Sequence, residues 1–368
     1  MQKVLVTGGC GFIGRYLVKE LLQEGYRVRV LDSLIEQVHG GAAIPPEIDG
    51  AELLRADIRD PVAVREALVG VEGVFHLAAE VGVGQSMYEI ARYVGTNDLG
   101  TAVLLEEMID APPRRIVVAS SMSVYGEGLY ARADGTRLGN VRRSLPRIKA
   151  GEWDPEIDGD VLRPVPTDEQ KPVDLASIYA LTKYNQERAV QIFGEAYGIE
   201  TVALRLFNVF GPGQALSNPY TGVLANFGSR LMNGQPPLIF EDGRQKRDFV
   251  HVKDVARAFR LAMEQKRAPG HVINVGSGRA YPIAEVAMLL AEAMDVPEIV
   301  PEILGKARAG DIRNCFADIS RARELLGFSP QYQLEKTVGE MADWVRESTA
   351  LDRSAEMQRQ LLARGLVT

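Results

Sequence analysis

Cysteine is nearly absent, with Cys10 and Cys315 the only two in 368 residues. Two thiols so far apart make neither a disulfide framework nor a zinc-ligand spacing, so a reducing cytoplasm is the expected setting, with no metal site. Basic residues are outnumbered, 42 Lys+Arg against 49 Asp+Glu for a net charge of −7. Nucleic acid or an anionic membrane as the main partner would call for a basic face instead. No apolar run approaches the roughly 18 residues of a membrane span. Met1 leads almost directly into Val4–Val6 without a charged leader, so no secretory signal is expected. The chain is 46% hydrophobic, which describes a globular protein long enough for about two domains.

From Lys3 to about Ala119, short β-branched runs (Val4–Val6, Arg27–Leu31, Gly73–Leu77, Arg115–Ala119) alternate with longer helical stretches. That alternation predicts parallel strands joined by crossover helices, and the near-continuous apolar character of the runs predicts burial on both faces. Val202–Phe207 and Val272–Val275 read as further strands of the same sheet. The expected fold is α/β: a Rossmann-type doubly wound sheet over residues 1–207, completed by 247–276, with a smaller C-terminal lobe from 208–246 and 277–345. Residues 346–368 read as a polar helix that packs rather than acts.

Residues 127–171 break the rhythm. This insertion has a basic half (Arg132, Arg137, Arg142, Arg143, Arg147, Lys149) and an acidic half (Glu152, Asp154, Glu156, Asp158, Asp160). Two readings stand: a solvated excursion whose halves attract each other, or a lid or oligomer contact beside the active site.

The first strand ends in Thr7-Gly8-Gly9-Cys10-Gly11-Phe12-Ile13-Gly14, and a helical stretch follows at once. Glycines at 8, 11 and 14 permit a sharp turn, close backbone approach to a pyrophosphate and tight helix–strand packing. Asp32 ends the second strand, where a carboxylate accepts ribose hydroxyls and repels a 2′-phosphate, favouring NAD over NADP. Cys10 reads as a small packing residue. Tyr179 and Lys183 are four apart on a predicted helix and share a face, so the ammonium is expected to lower the phenol pKa toward general-base use. Ser120 to Gly126 places hydroxyls at the carboxyl end of a strand, where open α/β sheets bind ligands.

With these motifs the chain resembles the extended short-chain dehydrogenase/reductases, specifically the NAD-dependent nucleotide-sugar epimerases and dehydratases. The likeness also rests on Asp57-Ile58, His76-Leu77-Ala78-Ala79, Asn97, Arg205-Leu206-Phe207-Asn208-Val209, Arg247-Asp248-Phe249 and Arg308-Ala309-Gly310-Asp311. The resemblance implies that Gly8, Gly11, Phe12, Ile13, Gly14, Asp32, Asp57, Ile58, Leu77, Ala78, Ala79 and Asn97 bind NAD. It makes Tyr179 the base, Lys183 the ligand of the nicotinamide ribose, and Ser121 the partner of the reacting hydroxyl. Val83, Ser121, Ser123, Asn208, Val223, Arg247 and Arg308 would hold the sugar nucleotide, the arginines at its diphosphate. Local readings remain open beside these: ion pairs Arg247–Asp248 and Arg308–Asp311, and Asn97 as a helix cap before Leu99 or, as the resemblance implies, a support for the active-site backbone. His76 and His251 read as satisfied core residues. A homodimer through helices near 97–110 and 178–197 is also implied.

In this family dehydratases carry Asp-Glu at the positions of Met122 and Ser123, decarboxylases a Glu and 3,5-epimerases a Cys at that of Ser123. What remains is 4-epimerisation or reduction of a 4-keto sugar, with 4-epimerisation expected and a non-catalytic NAD-binding role as a further alternative. Residues 81–88 and 216–223 are similar to the branch acting on dTDP-L-rhamnose, the glucose/galactose nucleotides being the alternative substrates.

Overall fold

The computed structural model describes residues 2–39, 44–214, 222–308, 311–348 and 354–367. Its centre is a seven-stranded sheet of β1 Lys3–Thr7, β2 Arg27–Asp32, β3 Glu52–Arg55, β4 Gly73–His76, β5 Arg115–Ser121, β6 Glu200–Leu206 and β7 His271–Val275. All pairings are parallel, in the order β7-β6-β5-β4-β1-β2-β3. The order reverses between β1 and β4, opening a crevice at their carboxyl ends, where doubly wound sheets place ligands. Every residue of β5 is buried, because helices cover both faces.

The principal helices are α1 Phe12–Gln23, α2 Pro61–Leu68, α3 Gly100–Glu107, α4 Ile178–Tyr197, α5 Val223–Met232, α6 Val252–Glu264, α7 Ile283–Ala293, α8 Leu334–Glu347 and α9 Ser354–Ala363. Leu17, Leu21, Phe259 and Met263 of α1 and α6 fill one face of the sheet with Val4, Val6 and Phe75. Val64, Leu104 and Val190 of α2, α3 and α4 fill the other with Leu5 and Val74. Asp60 caps α2 by accepting from Val62 and Ala63 N–H, just before Pro61. Ser177 caps α4 in the same way through Ala180 N–H, which fixes where Tyr179 and Lys183 stand on the first turns.

The smaller lobe has its own core, in which Leu224, Phe227, Ile239, Val286, Leu290, Met341 and Val345 pack together. Of the segment 247–276, only His271–Val275 joins the large sheet. Lys246–Arg247 pairs with Tyr281–Pro282 and Asn314–Cys315 of the lobe, and Phe249–His251 with Asn208–Phe210. No helix among the described residues is long and apolar enough to cross a membrane.

In the insertion the rim is built from opposite charges, Arg132–Asp158 at 3.0 Å and Arg147–Glu156 at 2.6 Å. Its centre is not solvated. Arg143, 6% exposed, reaches Glu127 at 2.8 Å and Glu241 of the smaller lobe at 2.6 Å, and donates to the Asp311 carbonyl at 2.8 Å. Arg313 answers from the lobe, donating to Asp154 and Asp242. The insertion is thus bolted to the lobe loop that carries Arg308 and Asp311.

Candidate active site

Two cavities open at the carboxyl end of the sheet. The first, of about 630 Å³, is walled by the glycine turn and the N-terminus of α1 and runs past Asp32, Asp57 and Ile58 to Leu77, Ala78 and Ala79. Gly8 has φ +70° and a side chain there would strike the Ala78 backbone at 2.9 Å; one at Gly14 would lie 2.2 Å from the Gly8 carbonyl oxygen. Only glycine lets helix, strand and turn approach so closely while leaving the helix N–H groups facing an anion. The Asp32 carboxylate accepts from Cys10 N–H at 3.0 Å and Leu34 N–H at 2.8 Å. Burial, helped by Asp32, pushes the Cys10 thiol up to about 12, so it stays protonated and inert. Asp57 forks with Arg59 at 2.6 and 2.9 Å.

For Asn97 the structure corrects the helix cap and the contact with NAD, and it bears out the support of the site's backbone. The residue neither caps a helix nor lines the cleft: it is fully buried in a π-helical segment, Val94–Leu99, that runs straight into α3. Its carboxamide accepts from Glu80 N–H at 2.7 Å and donates to the Glu80 carbonyl at 3.1 Å and to Thr182 Oγ1 at 2.9 Å. The extra residue per turn of the π geometry aims this side chain between the strand-end loop and α4, so it braces the cleft from behind.

The second cavity, of about 450 Å³, joins the first at Ser121 and Tyr179, which line both. Val83, Ser123, Asn208, Val223, Arg247 and Arg308 all face it. Residues 216–221, 309 and 310, on which part of the family likeness rests, lie outside the described residues. Asp311 is the one carboxylate among the described residues that wall this cavity. It sits between Arg308, at 3.1 Å, and Arg247, at 3.7 Å, and despite burial these two guanidinium groups hold it below the usual carboxylate range. The pair expected between Arg247 and Asp248 does not form. Asp248 turns away to Ser277, Gly278 and Ala317, while Arg247 is fixed by the carbonyls of Lys246, Ile312 and Arg313. Arg308 also stacks on Phe240 at 4.5 Å.

At the junction, burial raises the Tyr179 phenol above its ordinary value, opposed by its hydrogen bond with Ser121. The expected lowering by Lys183 is absent, because the ammonium is turned to Gln186 Oε1 at 2.7 Å. Gln186 also reaches His76, whose ring nitrogens meet Thr7 and Thr101 at 2.8 and 2.9 Å. His76 is therefore satisfied, and burial pushes it down to about 3, so it remains neutral. Ser121 Oγ lies 2.9 Å from Ser123 Oγ.

Burial brings Lys183 down to about 7, with Glu187 pulling the other way. Between that value and the ordinary one near 10.4 the unfolded chain binds more protons than the folded one, so this residue's contribution to stability improves as pH rises through the window. The melting temperature of the wild type minus that of Lys183→Met should rise between pH 6.5 and 9.5. Thermal melts by circular dichroism would show it; a flat difference would contradict the lowering of Lys183 by burial.

A family model, the NAD dependent epimerase/dehydratase family, matches residues 4–145 and 156–276, omitting part of the insertion. The chain belongs to that family. It is 36% identical to the dTDP-L-rhamnose 4-epimerase of Burkholderia thailandensis over 96% of each chain. Among solved structures it is 29% identical to the UDP-glucose 4-epimerase of Thermus thermophilus in complex with NAD, with a TM-score of 0.74 over 95% of this chain and 100% of that one. It is likewise 29% identical to the UDP-N-acetylglucosamine 4-epimerase of Methanobrevibacter ruminantium, with a TM-score of 0.77 over 95% and 99%. Family membership makes the chain an NAD-dependent enzyme of the epimerase class, and the cleft walled by the glycine turn, with the Asp32 carboxylate on its lining, fits that cofactor.

Sequence reasoning missed Gln186, Glu187 and Arg143, whose partners are distant in sequence or on another lobe. It also missed Leu361 and Leu366, which line the second cavity.

Proposed function

We propose that the protein is a nucleotide-sugar 4-epimerase whose substrate is a dTDP-6-deoxyhexose such as dTDP-L-rhamnose. One observation carries the reaction type: Tyr179 and Ser121 stand where the two cavities meet, and among the described residues the substrate cavity offers no carboxylate beyond the arginine-bound Asp311. Loss of water or of carbon dioxide would need a further acid or base there. Met122 is buried and Ser123 is bonded to Ser121, so neither supplies one.

NAD, when bound, serves as acceptor and then donor of the hydride at carbon 4. Tyr179 Oη takes the proton of the 4-hydroxyl and later returns it, while the Ser121 hydroxyl holds the same oxygen. Lys183, on the same helix face, is placed to hold the nicotinamide ribose. Asn208, Arg247 and Arg308 grip the diphosphate, so that the flat 4-keto sugar can turn about this anchor and present its other face.

The 6-deoxy sugar is favoured by the wall next to Ser121 and Tyr179, formed by Val81, Gly82, Val83, Gly84 and Met87. The side chains of this wall suit a methyl and offer no hydrogen-bonding group to a 6-hydroxyl. Likeness to the Burkholderia enzyme over nearly the whole chain supports the same reading. Steady-state kinetics should give a kcat/KM for dTDP-L-rhamnose at least about tenfold above that for UDP-glucose or UDP-galactose; the reverse order would overturn the substrate assignment.

A homodimer through the π/α3 segment and α4 belongs to the same proposal. Val94, Leu99, Leu181 and Ile192 lie 39–55% exposed on these helices, and 181 and 192 share one face of α4. Sedimentation should report twice the chain's 40.3 kDa; a monomer would contradict it.

A further inference from the structure

The C-terminal segment folds back over the substrate cavity. Helix α9 ends in a closed cap: Gly365, at φ +67°, donates to the Leu362 carbonyl at 3.0 Å, and Leu366 donates to the Leu361 carbonyl at 2.9 Å. In this motif the residue after the glycine packs against the one five positions before itself, which sets Leu366 beside Leu361. Both leucines line the substrate cavity with Val81, Val83 and Met87, and Leu361 is only 3% exposed.

Two further contacts pin the segment at separate places on the rim. The Arg364 guanidinium lies 4.4 Å from the ring centre of Tyr88, the residue after Met87 of the wall proposed to face the sugar. Val367 forms a backbone bridge with Arg308, at the place proposed for the diphosphate. The segment therefore spans the cavity mouth from the sugar side to the phosphate side.

We propose that residues 359–367 are a roof over the bound sugar nucleotide, with Leu361 and Leu366 as substrate-contacting residues and Arg364 as their positioning residue. This rests on the sugar-nucleotide reading of the cavity. The roof excludes water from the reacting sugar and adds apolar surface facing Val81, Val83 and Met87. Its position is held by a cation on an aromatic ring and by a strand-like contact, both of which can open to admit substrate.

The test uses full-length holoenzyme in a Tyr179→Phe background, so that turnover is slowed, with dTDP-L-rhamnose and UDP-glucose as probes. Calorimetry should show Leu361→Ala and Leu366→Ser each weakening the better-bound probe by about tenfold, and Arg364→Ala by a smaller factor, with NAD content unchanged. Hydrogen exchange at the 359–367 amides should slow when the probe is added to the unsubstituted segment. In the catalytically competent protein the same three changes should raise KM with kcat held within a few-fold. Equal binding by all variants with unaltered exchange would overturn the roof while leaving the site reading intact. Tighter binding by the variants would overturn it too, making the segment a plug. Failure of both probes to bind even the parent protein would sink the reading on which the roof rests.

Discussion

Tyr179→Phe should lower kcat by on the order of 10²–10⁴, the usual worth of a positioned general base, while the protein keeps its fold and its NAD. The ring would stay where it is, edge-on to Tyr93 at 6.5 Å, and Ser121 would keep its contact with Ser123. Only the atom that exchanges the sugar proton would be gone. Because burial holds the wild-type phenol above its ordinary value, the free phenol is mostly protonated at neutral pH, and kcat/KM should climb as the pH is raised toward 9. Turnover of Tyr179→Phe within a few-fold of wild type would remove Tyr179 from the mechanism.

Arg205→Leu should destabilise the fold by about 3–5 kcal/mol, the typical result of leaving one member of a buried ion pair alone. Arg205 binds Glu187 through two bonds, at 2.6 and 3.0 Å, with both side chains nearly inaccessible. Glu187 also accepts from Ser120 at 2.6 Å, and Arg205 lies over the Tyr125 ring at 4.7 Å. The pair ties β5, β6 and α4 together one helical turn beyond Lys183. Urea unfolding would measure the loss as a lower midpoint at unchanged slope. Adding Glu187→Leu should recover much of it, since the isolated charge is then removed along with its partner; a double variant as weak as the single one would show that the loss does not come from the stranded Glu187 charge.

The parts legible in the sequence were those whose physics is local. A glycine turn between strand and helix, a carboxylate at the next strand end and a Tyr/Lys pair four apart each declare themselves within a few residues. Accordingly Gly8, Gly11, Gly14, Asp32, Tyr179 and Lys183 gather around one cleft. The edge strand Glu52–Arg55 was missed because it is short and half-exposed, without the apolar run that marks the buried strands. Asn97 has a cap-like composition before Leu99, and nothing in its neighbours announces a π segment. Arg143 read as one member of the insertion's basic half and Arg313 carried no sign at all, because their partners lie as far as 168 and 186 positions away. In the C-terminal segment, Leu361, Gly365 and Leu366 did carry a local sign, leucines placed to meet across a glycine helix end. What they cover could be known only from the folded chain.

In the proposed reaction carbon 4 of the sugar gives up its hydrogen as hydride and receives the same one back. The most direct measurement is proton NMR of dTDP-L-rhamnose and UDP-galactose, each deuterated at carbon 4, incubated with purified enzyme and no added NAD. The expected result is a 4-epimer that retains the deuterium at carbon 4. Loss of the label to solvent, or no epimer until a reduced nicotinamide and a 4-keto sugar are supplied, would contradict it.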